Sequence, residues 1–203
     1  MDKRLPVVLA LSVVALLILD DQGADDNDEP NYEPPDLIDQ AAAFIDDITE
    51  GGPMTAWEQK NVSAFLQTIR VSEGTSGSDG YSILVGGGHF DSFADHPRRL
   101  VYIASIGQNS SAAGAYQILR RTWDGVVAKL GLPDFSPASQ DRAAVELIRQ
   151  RGALADVRAG RFADAVTKCR KEWASLPGAG YGQRENSLAL LQGAYVNAGG
   201  NLA

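Results

Sequence analysis

Glu73 is the residue in this sequence whose position best suits acid–base chemistry. It lies in the run Ser72-Glu73-Gly74-Thr75, at the end of a predicted helix that Gly74 would terminate. The helix macrodipole is negative at that end, so a carboxyl group there tends to keep its proton. A general acid that works at neutral pH needs this property. A solvent-exposed glutamate at a frayed helix end fits the same position, and position alone favours that simpler interpretation.

Two further segments combine residue types that suit the binding of sugars. Residues 114–118 read Gly-Ala-Tyr-Gln-Ile, and residues 177–183 read Pro-Gly-Ala-Gly-Tyr-Gly-Gln. Glycines allow close backbone approach, aromatic faces can pack on the apolar faces of sugar rings, and amides can bond to hydroxyl groups. Either segment alone is equally typical of an ordinary loop with a tyrosine in the core.

Residues that could bind a metal ion are few. The chain has two histidines, His89 and His96, and a single cysteine, Cys169, with no CxxC or HExxH spacing. We therefore expect no metal site and no cofactor, and an internal disulfide is excluded. Cys169 lies at helical spacing between Val166 and Trp173, which predicts a buried and unreactive thiol. His96 precedes a proline in a turn and is predicted to be structural.

The elements that position Glu73 can be predicted from local signals. Thr55-x-x-Glu58 fits a capping box, which predicts a helix from residue 55 to Gly74. Two short β-branched and aromatic runs, at residues 81–85 and 100–103, predict a small antiparallel sheet. Apolar spacing predicts four further helices, at residues 114–130, 137–150, 162–174 and 185–198. The helix at 137–150 would begin with an N-cap at Ser136 and proline at its first position, Pro137. The fold class is therefore a mostly helical α+β domain with one small sheet.

The N-terminal segment, residues 1–21, has the pattern of an export signal. Residues 5–19 carry no charge, Lys3 and Arg4 precede them, and Asp20 and Asp21 follow. This run would form a helix of about 22 Å, which is short for a permanent membrane span. The charge asymmetry would send the rest of the chain outward through the inner membrane. Because no small-x-small cleavage site follows, we expect an uncleaved, weak tether, with a cleaved signal as the alternative.

Charge separates the chain into a leader and a folded domain. Residues 1–54 contain 13 acids and two bases, a net charge of −11, whereas residues 55–203 contain 13 acids and 16 bases, a net charge of +3. Residues 22–54 are predicted to be an acidic linker with one possible short helix, and the domain covers residues 55–203. A mildly basic domain suits an anionic polymer, although on charge alone an ordinary solvated surface is the better explanation of the small surplus.

Seven runs, in this order, resemble the lambda-type endolysin family, whose members are lysozyme-like peptidoglycan transglycosylases. The runs are Ser72-Glu73-Gly74-Thr75, Val85-Gly86-Gly87, Asp95-His96-Pro97-Arg98, Ala113-Gly114-Ala115-Tyr116-Gln117, Asp134-Phe135-Ser136-Pro137, Arg151-Gly152-Ala153-Leu154 and Trp173-Ala174-Ser175-Leu176-Pro177-Gly178-Ala179-Gly180-Tyr181-Gly182-Gln183. The likeness extends from about residue 61 to residue 200 and leaves the leader outside. It implies a lysozyme-like fold.

The resemblance also implies a mechanism. Glu73 occupies the position of the single catalytic glutamate, which protonates the glycosidic oxygen between N-acetylmuramic acid and N-acetylglucosamine. The same residue then acts as base on the muramic 6-hydroxyl, and a 1,6-anhydro sugar forms without water. The family binds glycan in a cleft between two flexible lips, which match residues 102–112 and 177–187. The substrate-contact candidates are Tyr116, Gln117, Gly178, Tyr181 and Gln183.

The sequence departs from the family pattern near the predicted sheet. Ser82 stands where the family has an aspartate, and the spacer between Thr75 and Tyr81 is shorter. Any role of that aspartate is therefore lost or moved. Asp91 and Asp95 could supply a second carboxylate, but solvated loop acids are the simpler interpretation.

These observations together predict an exported endolysin for host lysis. We expect it to act as a monomer on the peptidoglycan glycan strand at the periplasmic face of the inner membrane, tethered through residues 5–19 or released, with no nucleic-acid partner. The alternatives are a virion- or secretion-associated wall-cutting enzyme, a muramidase that hydrolyses the same bond, and a glycan-binding module without activity.

Overall fold

The computed structural model describes residues 54–104, 107–181 and 184–203. Within these ranges the chain forms six α-helices and a two-stranded sheet, with no helix long and apolar enough to cross a membrane. The predicted export segment, and the linker before Met54, lie outside the described residues. The elements are α1 (Ala56–Glu73), a 3-10 helix (Gly80–Ser82), β1 (Val101–Ile103), β2 (Gln108–Ser110), α2 (Arg120–Leu130), α3 (Pro137–Gln150), α4 (Leu154–Arg158), α5 (Phe162–Cys169) and α6 (Leu188–Asn197).

Helix α1 begins and ends where the sequence predicts. The Thr55 hydroxyl accepts the backbone N–H of Glu58, and the Glu58 carboxylate accepts the backbone N–H of Thr55, which completes the capping box. Gly74 ends the helix in the left-handed conformation, with φ of 75°. The buried face of α1 packs against α6 and α4. Glu73 is therefore the last residue of a helix that is fixed at both ends.

Helix α3 confirms the predicted range of 137–150. The Ser136 side chain accepts the backbone N–H of Ser139, and proline occupies the first helical position. The fully buried Gln140 of this helix accepts the N–H of Ala115 and donates to the carbonyls of Tyr81 and Phe135. One buried amide thus ties α3 to two separate loop segments.

The helix predicted for residues 114–130 begins only at Arg120, so its first six residues were wrongly assigned. Gly114 has φ of 76° and Gln117 has φ of 48°, and neither value fits a right-handed helix. Ala113 and Ile118 instead exchange two backbone hydrogen bonds across a tight turn. Only glycine fits at residue 114, because a Cβ there would clash with the amide of Gln140.

The predicted sheet is present, but the predicted pairing of residues 100–103 with residues 81–85 is wrong. β1 pairs antiparallel with β2, with Val101 opposite Ser110, and not with residues 81–85. The segment 81–85 starts in the 3-10 helix and makes only isolated bridges from Ile83 and Leu84. Gly86 and Gly87 then turn the chain back in left-handed conformations, which leaves no length for a ladder.

Two other helix predictions are longer than the helices observed, and one helix was missed. The helix predicted at 162–174 ends at Cys169, the one predicted at 185–198 runs from Leu188 to Asn197, and the five-residue α4 was not predicted. Helix ends depend on contacts beyond the local sequence pattern, so predicted and observed helices differ mostly at their ends.

An aromatic cluster around Phe135 fills the core beside these helices. The ring centroids of Trp123 and His96 lie 4.7 Å and 4.9 Å from that of Phe135. His96 is buried, with its Nε2 2.9 Å from the Ile118 carbonyl oxygen, and burial lowers its pKa to about 4. A neutral histidine with internal partners is structural, as predicted. Cys169 is also buried, as predicted, and so are the side chains of Trp123 and Trp173.

Candidate active site

Glu73 is a buried carboxyl group at the end of α1. Only 4% of the residue is exposed, and the Ser175 hydroxyl donates a 2.5 Å hydrogen bond to its Oε1 atom. Burial raises the pKa of Glu73 to about 7, and the Ser175 hydrogen bond lowers it in part. A carboxyl group with such a pKa can both give and take a proton near neutral pH.

Burial is the largest cause of the raised pKa of Glu73. The C-terminal end of α1 acts in the same direction, because its carbonyl groups disfavour a negative charge. No charged group among the residues of the described ranges contributes to the shift. The simpler interpretation of Glu73 as a solvated surface residue is therefore wrong.

Contacts with the turn at residues 113–118 hold the end of α1 in place. The Thr75 hydroxyl donates to the carbonyl oxygen of Ala115, and the Thr75 N–H donates to the carbonyl of Arg70. The indole N–H of Trp173 donates to the carbonyl of Tyr116 at 3.1 Å. The turn thus joins α1 to the segment 173–176, which carries Ser175.

Tyr116 and Gln117, two of the predicted substrate contacts, are buried near this helix end. Tyr116 is 1% exposed, and its hydroxyl donates to Asp141 at 2.6 Å, as the Tyr81 hydroxyl also does at 2.8 Å. The Gln117 amide donates to the carbonyl of Gly114 at 3.0 Å. These internal partners hold both side chains inside the fold. Their direct contact with glycan stays a prediction.

Gly178 and Tyr181 lie in the more accessible segment before α6. Gly178 is exposed and Tyr181 is partly exposed, whereas Gln183 lies outside the described residues. The Glu185 carboxylate accepts the N–H groups of Gly178 and Gly180, each at 2.7 Å, and so closes this segment on itself. The role of these three candidates in binding glycan stays a prediction.

The possible second carboxylates have different surroundings. Asp95 accepts hydrogen bonds from the Arg98 guanidinium at 2.8 Å and the Trp123 indole at 3.1 Å. These bonds commit it to the turn before α2. Asp91 is exposed. The Ser82 hydroxyl donates to the carbonyl of Asp79 at 2.9 Å, which places it in a local turn.

Sequence reasoning missed Ser175, Asn186 and Asp141. Ser175 lies within the eleven-residue run 173–183, but no local pattern distinguishes it from any other small residue. Its importance comes from a contact with Glu73 across 102 positions of sequence. Only the fold brings such pairs together. Among the described residues, no group of three or more His, Cys, Asp or Glu side chains could hold a metal ion.

Comparison with known proteins decides the family. Residues 63–202 match the family model described as Endolysin. The chain belongs to the endolysin family. The chain is 46% identical to the endolysin of Escherichia phage P2 over 70% of its own length and 94% of that protein's. It is 43% identical to the endolysin of Escherichia phage lambda over 68% of its own length and 91% of that protein's.

Solved structures confirm the lysozyme-like fold of this endolysin. The lysozyme of bacteriophage lambda complexed with a chitohexasaccharide matches with a TM-score of 0.67 and 41% identity, over 71% of this chain and 97% of that one. A second structure of the lambda lysozyme matches with a TM-score of 0.65 over the same shares. The resemblance predicted from the seven runs is therefore confirmed, and the endolysin is a phage enzyme that degrades peptidoglycan.

Proposed function

We propose that this endolysin is a lytic transglycosylase that cleaves the β-1,4 bond between N-acetylmuramic acid and N-acetylglucosamine. The observation that supports it best is the buried Glu73 carboxyl group, whose pKa of about 7 fits an acid that becomes a base within one cycle. The chitohexasaccharide bound to the similar lambda lysozyme supports a β-linked glycan as the substrate here.

The proposed reaction has two steps. Protonated Glu73 gives its proton to the glycosidic oxygen, the bond from that oxygen to the muramic C1 breaks, and positive charge develops on the ring. Ionised Glu73 then accepts the proton of the muramic 6-hydroxyl while O6 bonds to C1. The 1,6-anhydro ring closes, Glu73 regains its proton, and no water is consumed.

A single carboxyl group suffices for this reaction. Two-carboxylate glycosidases use the second group as a nucleophile or to activate water, at a separation of about 5–9.5 Å from the first. In this endolysin Asp95 is committed to Arg98 and Trp123, and no carboxylate among the described residues acts on the pKa of Glu73. The substrate's own 6-hydroxyl takes the place of the water.

Mass spectrometry of digested peptidoglycan tests the proposal. We expect muropeptides that end in 1,6-anhydro-N-acetylmuramic acid, each lighter by one water than the product of a muramidase run in parallel. Reducing ends would contradict transglycosylation and identify a hydrolase. Intact sacculi with bound protein would contradict cleavage altogether.

We infer that the leader exports this endolysin to the periplasmic face of the inner membrane, with residues 5–19 as a weak tether. The support is the uncharged run that follows Lys3 and Arg4. We expect the full chain to fractionate with the inner membrane or the periplasm. The double substitution Leu11→Arg with Val14→Arg should keep the enzyme in the cytosol, because each central charge opposes insertion by about 2.5–3.5 kcal/mol. The apolar exchange Leu11→Val with Val14→Leu is the control and should fractionate like the unchanged enzyme. Recovery of the unchanged enzyme in the cytosol would contradict the inference.

A further inference from the structure

A line of polar side chains runs from Glu73 to the segment before α6. The Ser175 hydroxyl lies 2.5 Å from Glu73 Oε1, the Ser72 hydroxyl lies 2.7 Å from that of Ser175, and the Asn186 amide nitrogen lies 3.1 Å from the Ser72 hydroxyl. Ser72 and Ser175 are each 1% exposed. A buried hydroxyl group without a hydrogen-bond partner costs free energy. The direction of each hydrogen bond in the line therefore constrains the direction of the next.

The hydrogen bonds in this line have a definite direction. The Asn186 amide nitrogen also faces the carbonyl oxygens of Ser72 and Ser175, at 3.2 Å and 3.3 Å. Carbonyl oxygens can only accept, so this end of the amide is its N–H₂ group and donates to the Ser72 hydroxyl. The single hydrogen of Ser175 is donated to Glu73, so Ser72 is the donor to Ser175. Every bond therefore points toward the carboxyl group.

The far end of the line is anchored on both sides of Asn186. The preceding residue, Glu185, accepts the N–H groups of Gly178 and Gly180. The following residue, Ser187, is the N-cap of α6 and accepts the N–H of Leu190. The backbone N–H of Asn186 itself donates to the carbonyl of Ser175 at 2.9 Å. The amide is thus held where it can orient the two hydroxyl groups.

We propose that Ser175 is a positioning residue for Glu73, and that Ser72 and Asn186 keep its hydroxyl in the donating orientation. This proposal rests on the proposed function, in which Glu73 is both acid and base. The bond to Oε1 holds the carboxyl group in one orientation and leaves Oε2 for the oxygen atoms of the substrate. It also stabilises the ionised form that must act as base in the second step.

Charged groups near these residues in sequence are occupied elsewhere. Arg70 on α1 donates to the carbonyls of Thr75 and Gly77, and Glu185 is held by two backbone amides. No charged group of the described residues on α1, on the 173–176 segment or on α6 shifts the pKa of Glu73. Loss of the Ser175 hydroxyl therefore leaves burial alone, and the pKa of Glu73 should rise.

The experiment compares pH–rate profiles of the full chain with Ser175→Ala, Ser72→Ala and Ser175→Thr. Cleavage needs protonated Glu73 in the free enzyme, so kcat/KM falls as pH rises through its pKa. In Ser175→Ala we expect this falling limb to move up by about one pH unit, because a hydrogen bond to a charged group is lost. We expect kcat to fall roughly tenfold with KM unchanged, as the carboxyl group loses its orientation.

The other variants separate positioning from mere structure. Ser72→Ala should move the falling limb of kcat/KM to higher pH, but by less than Ser175→Ala does. Ser175→Thr should return the limb to its position in the unchanged enzyme. Ser63→Ala, on the exposed side of α1, should leave the limb where it is. The pKa of Glu73 read from its carboxyl ¹³C shift gives the same comparison without activity. A lower rate with an unmoved limb, or an unmoved ¹³C titration in Ser175→Ala, would overturn the proposal. Failure of the proposed function would show instead as cleavage that survives Glu73→Gln.

Discussion

Replacing Glu73 by glutamine is expected to lower the rate of glycan cleavage by roughly 10³- to 10⁴-fold, since general acid–base catalysis contributes about that much. Glutamine has nearly the same size, and its amide oxygen can still accept the Ser175 hydroxyl. The amide has no proton to give at neutral pH and cannot act as base. Release of soluble fragments from purified sacculi measures the rate, and co-sedimentation with sacculi measures binding, which should be retained.

Asp91→Asn is the matched control for this substitution. It also neutralises one carboxylate, but on an exposed residue outside the site. We expect its cleavage rate to equal that of the unchanged enzyme within about twofold, as for most surface substitutions. If Asp91→Asn lost as much activity as Glu73→Gln, a second carboxylate would be required and the single-residue mechanism would be wrong. If Glu73→Gln kept more than a tenth of the activity of the unchanged enzyme, Glu73 would not be the catalytic acid and base.

The location of Glu73 could be predicted from the sequence because the signals are local. The capping box at Thr55 and Glu58 and the left-handed Gly74 each depend on residues within one helical turn. They set the start and end of α1, and so place Glu73 at its last position. Burial of Glu73 could not be predicted this way, because it comes from packing against distant parts of the chain, including the segment of Ser175, 102 positions away in sequence.

The turn at residues 113–118 shows why apolar spacing alone misplaced a helix start. Its residues have apolar spacing compatible with a helix, but Gly114 and Gln117 adopt positive φ values. Gln117 is not glycine, so no residue type reveals this conformation. It persists because Gln140 binds Ala115 and because Ala113 pairs with Ile118. Tertiary contacts therefore override the local pattern beside the site.

The same reason explains why the side chains of Tyr116 and Gln117 are buried against internal partners. As residues of a helix they would present side chains at regular intervals along one face. As residues of a tight turn they point inward, where Asp141 and the carbonyl of Gly114 bind them. Residue type predicts that a tyrosine and a glutamine can contact a sugar. The backbone conformation decides which atoms they contact.

The buried carboxyl group should also make the folded enzyme less stable as pH rises. The pKa of Glu73 is raised from 4.5 to about 7 on folding. Below pH 4.5 the group is protonated in both states and contributes nothing. Between pH 4.5 and 7 the unfolded chain releases a proton that the folded chain keeps, so stability falls with pH, by about 3 kcal/mol in all. Above pH 7 both states are ionised and the loss is complete.

Glu73→Gln removes this titration, so we expect the inactive variant to become the more stable protein as pH rises. Its free energy of unfolding relative to the unchanged enzyme should increase by about 3 kcal/mol between pH 4.5 and pH 8. Other groups cancel in this difference, including His96 with its pKa of about 4, because both proteins contain them. Urea denaturation at several pH values measures the difference directly.

If the difference in free energy of unfolding between Glu73→Gln and the unchanged enzyme stayed constant from pH 4.5 to 8, Glu73 would have the same pKa in the folded and unfolded chains. Glu172→Gln is a contrasting case, since this buried carboxylate is paired with Arg151. Removing its charge leaves a guanidinium without its partner and should destabilise the protein. Glu73 has no such cation among the described residues, so its charge is opposed by burial and supported by the Ser175 hydroxyl alone. Because a general acid and base near pH 7 needs this imbalance, the stability that Glu73→Gln gains at high pH should accompany its loss of activity.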